Sequence, residues 1–183
     1  MEADFAHAIS SWDGKSTVLL LDIYQAQAQS TDFANQLVDA LPVTATQQAA
    51  TWLLKHHLEQ GGVIDFDALN HALSDADLFG ALMADANSHL HLLQIMPMIK
   101  ADLALATRAQ KHVWQQLIDK GHQSRHKFVR AWSWQGEFEL LRASDATAQH
   151  IAEYTSRVTA ALDVEKGAVA ARLRNIARML AKF

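Results

Sequence analysis

One stretch of twenty residues decides the fold that the sequence predicts, SRHKFVRAWSWQGEFELLRA at residues 124–143. On a helix turning about 100° per residue, its apolar side chains fall on two nearly opposite faces: Val129, Trp132, Gly136 and Leu140 on one, and Ala131, Trp134, Phe138 and Leu141 on the other. A helix at the edge of a globule needs one apolar stripe, so two stripes indicate an inner helix with neighbours on both sides. We therefore expect Trp132 and Trp134 to be core residues in two interfaces, rather than ligand-stacking groups.

The large apolar residue in this stretch recurs along the chain. Trp52, Leu92, Trp132 and Leu173 lie 40, 40 and 41 residues apart, each in a segment that is predicted to be helical. A period near forty residues is typical of stacked helical pairs. The four side chains are therefore predicted to occupy equivalent buried sites in the second helices of successive pairs.

Capping and breaking residues divide the chain into ten predicted helices, or five pairs. Pro42 and Pro97 end helices, and Gly61-Gly62 supplies a C-terminal cap. The predicted helices span residues 2–12, 16–29, 32–41, 44–60, 65–82 with a break at 74–77, 85–96, 103–120, 124–143, 145–162 and 165–181. Half of the 183 residues are hydrophobic, and seven glycines and two prolines are too few for many strands and turns. We predict an all-α fold that forms a single helical-repeat domain over residues 1–183.

The run FVRA at residues 128–131 resembles the second helix of HEAT-like repeats, in which Val-Arg-x-Ala follows a turn that contains an Asp. Asp119 would be that turn acid, and Asp163 with residues 169–172 is similar to a second, looser copy. The resemblance implies a right-handed α-α superhelix of about five stacked pairs. It also implies two Asp–Arg ladders between adjacent repeats: Asp119 with Arg130, and Asp163 with Arg172. The motif covers the last eighty residues, and the period alone covers the first hundred.

The net charge of −4 conceals an uneven distribution. Residues 1–99 hold two basic and twelve acidic side chains, a net −10, whereas residues 100–183 hold fourteen basic and eight acidic side chains, a net +6. In a solenoid, distance in sequence becomes distance in space, so we expect the two charges at opposite ends of the molecule. The alternative is independent drift of surface charge, because charge bears on association rather than on fold.

Polar positions on two helices are the predicted binding residues. One polar strip of the decisive helix contains Arg130, Ser133 and Glu137, the other contains Gln135, Glu139 and Arg142, and either could face a groove of second helices. The last helix presents Arg174, Arg178 and Lys182 as a basic stripe opposite a single apolar stripe, as a terminal repeat should. The basic stripe is either a solvated face aided by the helix dipole or a contact for a phosphate backbone. The predicted binding residues are Arg130, Ser133, Glu137, Arg174 and Arg178.

The ten histidines do not have the spacing of a metal site. His89 and His91 lie about 200° apart on a helix, and Gly121 is expected to place His122 outside the helix and away from His126. We therefore expect histidines at surfaces and interfaces. The chain has no cysteine, no Gly-rich phosphate loop, no nucleophile elbow and no His-Glu-x-x-His motif. No metal, cofactor or catalytic residue is predicted.

Two classes of function follow. The first is a non-enzymatic HEAT-like scaffold that binds a protein or peptide partner in its concave groove, as the period and the two-sided helix suggest. The second is a HEAT-like nucleic-acid-binding protein or DNA glycosylase that uses the basic C-terminal half with Trp114, Trp132 and Trp134. Head-to-tail self-association is a third hypothesis, based on the charge polarity. The early apolar run at residues 18–21 is too short for a signal core or a membrane span, so we expect a cytoplasmic protein without membrane contact.

Overall fold

The computed structural model describes residues 2–182, with side chains from Phe5 onward, and this part of the chain is all-helical, as predicted. Its twelve helices are α1 Glu2–Ser10, α2 Thr17–Gln27, α3 Phe33–Asp39, α4 Thr44–Glu59, α5 Phe66–Leu73, α6 Ala76–Ala84, α7 Ala86–Ile95, α8 Lys100–Leu105, α9 Arg108–His122, α10 Lys127–Arg142, α11 Ala148–Val164 and α12 Gly167–Leu180.

Two predicted helices are each divided in the structure. The predicted helix 65–82 becomes α5 and α6, because the Asp75 carboxylate accepts a hydrogen bond from the Leu78 amide at 2.8 Å and starts a new helix. That break was predicted. The predicted helix 103–120 becomes α8 and α9, because Thr107 and Gln110 form a capping box at the start of α9. This second break was missed.

The chain divides into two compact units, an N-terminal unit of residues 1–95 and a C-terminal unit of residues 96–183. In the N-terminal unit α4 packs against α1, α2, α3 and α7, and in the C-terminal unit α10 packs against α8, α9 and α12. Because residues 96–99 are uncharged, the N-terminal unit carries the net −10 and the C-terminal unit the net +6. The superhelix over one domain stays a prediction.

Residues forty positions apart meet in both units. Thr51 Oγ1 lies 3.1 Å from His91 Nδ1, which joins α4 to α7. In the C-terminal unit, the Arg172 guanidinium lies 3.9 Å from the centre of the Trp132 ring, which joins α12 to α10. The forty-residue period therefore marks helices that pack together within each unit.

The period does not fix how deeply its residues are buried. Leu92 and Leu173 are fully buried, but Trp52 and Trp132 are only half-buried. The Trp52 ring stacks on His56, with ring centres 5.0 Å apart, and keeps one side exposed. The prediction of four equivalent buried sites was therefore wrong for the two tryptophans. A half-buried indole can find a hydrogen-bond acceptor for its N–H more easily than an indole deep in an apolar core can.

The Gly61-Gly62 pair caps α4 as predicted, in a Schellman motif. Gly61 has φ +81°, and the amides of Gly61 and Gly62 donate to the carbonyls of Leu58 and His57. Gly62 also lies against the buried His57 ring, so a Cβ at position 62 would be 2.3 Å from that ring. Glycine is required at position 62 by this contact.

We expect Gly62→Ala to lower the free energy of unfolding by about 1–3 kcal/mol. The His57 ring cannot move aside easily, because it packs on Phe33 with ring centres 5.4 Å apart and its Nε2 lies 3.3 Å from the Val63 carbonyl. Gly80→Ala, in α6 with open space around it, is the matched control and should leave stability unchanged or slightly raised. Urea unfolding followed by circular dichroism measures both, and equal effects would contradict the contact.

Candidate functional site

The C-terminal unit contains two helical hairpins, α9–α10 and α11–α12, that are joined through their second helices. Helix α10 packs on α9 and on α12, so the prediction that it has neighbours on two sides is confirmed. The two second helices run in the same direction, since Arg130 near the start of α10 lies 3.6 Å from Glu165 just before α12. The first helices α9 and α11 stand apart and leave a cleft between them.

This α9–α11 cleft has a volume of about 340 Å³, with α10 as its floor. Its lining residues are Gln115 from α9, Glu137, Leu140 and Leu141 from α10, Ser144, and His150, Glu153, Tyr154 and Arg157 from α11. A second recess of about 730 Å³ follows α9 back to Arg108 and shares Gln115, Leu140 and Ser144 with the cleft. The two recesses are therefore adjacent and are together called the groove here; Leu140 and Leu141 give its floor an apolar part, and polar side chains form its walls.

The groove has the length of a short peptide. The α9 residues that line the groove run from Arg108 to Gln115, a rise of about 10 Å at ~1.5 Å per residue. An extended chain rises ~3.4 Å per residue, so this part of the groove spans about three residues of an extended peptide.

Glu137 joins the three helices that surround the cleft. Its carboxylate lies 3.1 Å from His122 Nε2 on α9 and accepts a hydrogen bond from the Arg157 guanidinium on α11. Burial alone would raise the pKa of Glu137, but the hydrogen bonds from His122 and Arg157 and the charge of Arg157 outweigh it and hold the pKa below its usual value. The carboxylate is thus an ionised structural bridge in the cleft floor.

An aromatic layer supports this bridge. The Tyr154 hydroxyl donates to the Trp134 carbonyl at 2.6 Å, and the Arg157 guanidinium lies over both rings, 5.8 Å from the Trp134 centre and 5.5 Å from the Tyr154 centre. Burial raises the pKa of the Tyr154 phenol, which therefore stays protonated and donates. The wall of the cleft is held in one geometry by these contacts.

A second polar network lies on another face of α10. Gln135 donates to the Glu139 carboxylate at 2.7 Å, and Arg142 lies 3.4 Å from the same carboxylate. Arg172 of α12 donates to the Gln135 side-chain carbonyl at 3.4 Å while it covers the Trp132 ring. Burial lowers the pKa of Arg172 below its usual value. Acidic, basic and aromatic side chains therefore meet here, and Glu139 is buried among them.

The predicted Asp–Arg ladders were wrong. Arg130 pairs with Glu165 and donates to two backbone carbonyls, while Asp119 accepts a hydrogen bond from Gln115 within α9. Arg172 turns to Trp132 and Gln135 rather than to Asp163. Asp119 lies within α9 rather than in the turn before α10, and the start of α10 lies beside Glu165, just before α12.

The five predicted binding residues lie in different places. Of the five, only Glu137 lines the α9–α11 cleft. Arg130 lies outside it and pairs with Glu165. Ser133 is fully buried and donates to the Val129 carbonyl of its own helix, so its burial argues against contact with a partner. Arg174 and Arg178 are exposed on α12 and do not line the cleft. The lining residues Tyr154 and Arg157, and His122 beside Glu137, were not predicted as site residues.

Two further expectations about aromatic and histidine residues fail. Trp114 is fully buried, so it has no face for a nucleic-acid base. The histidines do lie at surfaces or helix contacts, as expected: His71 and His112 are exposed, and the buried His91 lies where α4 meets α7. Gly121 lies inside the last turn of α9, so the expectation that it excludes His122 from the helix was wrong.

Searches for metal sites and membrane spans among the described residues give no candidate. No group of three or more His, Cys, Asp or Glu side chains in this part of the chain is placed to hold a metal ion. None of its helices has the length and apolar character needed to cross a bilayer. Comparison with protein-family models, curated proteins and solved structures found no match. The HEAT-like resemblance therefore stays a prediction.

Proposed function

We propose that this chain is a non-enzymatic helical-repeat scaffold whose α9–α11 cleft binds a short extended segment of a protein partner. The observation that carries the proposal is the groove of the C-terminal unit, whose α9 wall is as long as about three extended residues. A groove with a partly apolar floor and polar walls suits a peptide, because apolar side chains can rest on the floor while the walls bind the backbone.

The chemistry of the groove favours binding over catalysis. Glu137 of the cleft lies beside His122 and also pairs with Arg157, so its carboxylate is already paired on both oxygens. A carboxylate with a lowered pKa and two donors is a poor proton acceptor at neutral pH. The remaining polar wall groups include Gln115, Ser144, His150 and Glu153. Gln115 donates to Asp119 and Ser144 donates to the Leu141 carbonyl, but the side-chain oxygens of both residues can accept hydrogen bonds from a peptide backbone.

Selection from a phage-displayed library of random heptapeptides on the full chain tests the proposal. A selected peptide is synthesised and titrated by calorimetry against wild type, Gln115→Arg and Gln116→Arg. Gln115 lines the cleft, whereas Gln116 is exposed beside it on α9 and does not. We expect Gln115→Arg to weaken binding by at least about tenfold and Gln116→Arg by less than about twofold.

The matched pair excludes a general effect of added charge. Both variants add one arginine to neighbouring positions of the same helix, and circular dichroism checks that both remain folded. Equal affinities of the two variants, or failure of the library to yield any peptide, would contradict a peptide site in the cleft.

A second candidate is a nucleic-acid-binding protein or DNA glycosylase of the HEAT-like kind. The observation that favours it is the network of Trp132, Arg172, Gln135 and Glu139, which places acid, base and aromatic ring together in a unit of net charge +6. Against it, Trp132 is covered by Arg172 and Trp114 is buried, so neither offers a free ring for a base.

Fluorescence anisotropy with a labelled DNA duplex separates the two candidates. Phosphate contacts predict an affinity that falls by at least about tenfold between ~50 and ~200 mM salt. Arg172→Gln should weaken such binding, and Arg108→Gln at an exposed site provides the control. Absence of binding at low salt would exclude this candidate.

A further inference from the structure

The last helix carries positive charge and contains no acidic side chain. Residues 166–182 contain five basic side chains and no acidic one. Arg172 is held over Trp132, but Arg174, Arg178 and Lys182 are exposed. These three residues are called the basic face here: Arg174 and Arg178 lie about one turn apart in α12, and Lys182 lies just past the end of that helix. None of the ion pairs among the described side chains includes them.

The basic face is fixed in position. The opposite side of α12 buries Val169, Leu173 and Ile176 in a cluster with α10 and α11. Arg178 also donates to the Asn175 side chain at 2.8 Å. The helix that carries these charges is already packed in the unit. Binding a partner would therefore cost little conformational entropy for ordering the helix.

The N-terminal unit contains the complementary surface. Residues 56–99 hold six acidic side chains and no lysine or arginine. Four of them lie in two similar pairs at the starts of α5 and α6 and are exposed: Asp65 with Asp67, and Asp75 with Asp77. We call these four residues the acidic edge.

We propose that the basic face of one copy of this chain docks on the acidic edge of a second copy. The chain itself supplies both surfaces, on compact units of net +6 and −10. The exposed Val63 (80 % exposed) lies two residues before Asp65 and adds an apolar side chain next to the acidic edge in sequence. An apolar contact within a charged rim is typical of protein interfaces. Such contacts are heterologous, so one copy can bind a second copy through each of its two surfaces, in an open chain or a closed ring.

Sedimentation velocity of the full chain tests this association. At about 50 mM salt we expect the average mass to rise at least about twofold over a tenfold rise in protein concentration, and at about 500 mM salt to remain that of the monomer. R174E/R178E and D67K/D77K should each be monomeric at low salt. Mixed in equal amounts, they should associate again, because each variant retains the surface that the other has lost.

The matched control is R174K/R178K, which keeps the charges and should associate like wild type. Circular dichroism checks that all variants are folded. A wild type that stays monomeric at low salt, variants that associate as it does, or a mixture that stays monomeric would each overturn the proposal. So would a monomeric wild type that binds a labelled DNA strand and loses it in R174E/R178E, since the occupant would then be a nucleic acid. The cleft is not used here, so a failed peptide selection leaves this result unaffected.

Discussion

Replacing Trp114 with alanine is expected to lower the free energy of unfolding by about 3–5 kcal/mol. Trp114 is the largest fully buried side chain of the protein as described, and it lies on α9 beside the buried Leu117 and Ile118. Alanine would leave a cavity where α9 packs on α10, and the rigid neighbours could fill it only in part.

Trp132→Ala is the comparison within the same unit. Trp132 is half-buried under Arg172, so its loss removes a cation–π contact and some apolar area but opens no closed cavity. We expect less than half of the effect of Trp114→Ala, measured by urea unfolding followed by tryptophan fluorescence and circular dichroism. Comparable losses would mean that exposure is a poor guide to the packing of these tryptophans.

The sequence predicts helix ends well where one residue has a local reason to end or start a helix. The backbone amides of Gly61 and Gly62 cap the end of α4. The Asp75 side chain caps the start of α6 by accepting a hydrogen bond from the amide of Leu78, three residues further along the chain. Thr107 was missed, because its capping box with Gln110 lies within a run that has helical periodicity on both sides. Propensity alone could not show that the helix divides there.

The candidate site was predictable only in part. The two faces of α10 followed from its own periodicity, which the packing on α9 and α12 confirms. The partners of Glu137 could not be predicted, because His122 and Arg157 meet it only through the way α9 and α11 stand on α10. Pairing across three helices is set by packing rather than by spacing in sequence, and the failed Asp119–Arg130 ladder has the same cause.

Acidification is expected to destabilise the N-terminal unit through His91. Burial lowers the pKa of His91 from 6.5 to about 4, with a smaller contribution from the charge of Lys55 in the same direction and an opposing one from Asp85. In the unfolded chain the imidazole binds its proton near pH 6.5, whereas in the folded chain it stays neutral until about pH 4. The unfolded state therefore gains the proton first. The contribution of the neutral His91 to the free energy of unfolding is fully present above pH 6.5. It is lost as the pH falls towards 4, by about 3 kcal/mol.

His91→Gln removes the titrating group and keeps a side chain able to hydrogen-bond with Thr51, which lies 3.1 Å from His91 Nδ1 in the wild type. We expect the difference in unfolding free energy between about pH 7 and about pH 4 to be ~2–3 kcal/mol smaller in His91→Gln than in the wild type. His71→Gln, at an exposed site of the same unit, should keep the wild-type difference. Carboxylates such as Glu137 contribute equally to all three proteins, so the comparison isolates His91. Parallel pH profiles of the wild type and His91→Gln would show that His91 takes up its proton in the folded state without cost.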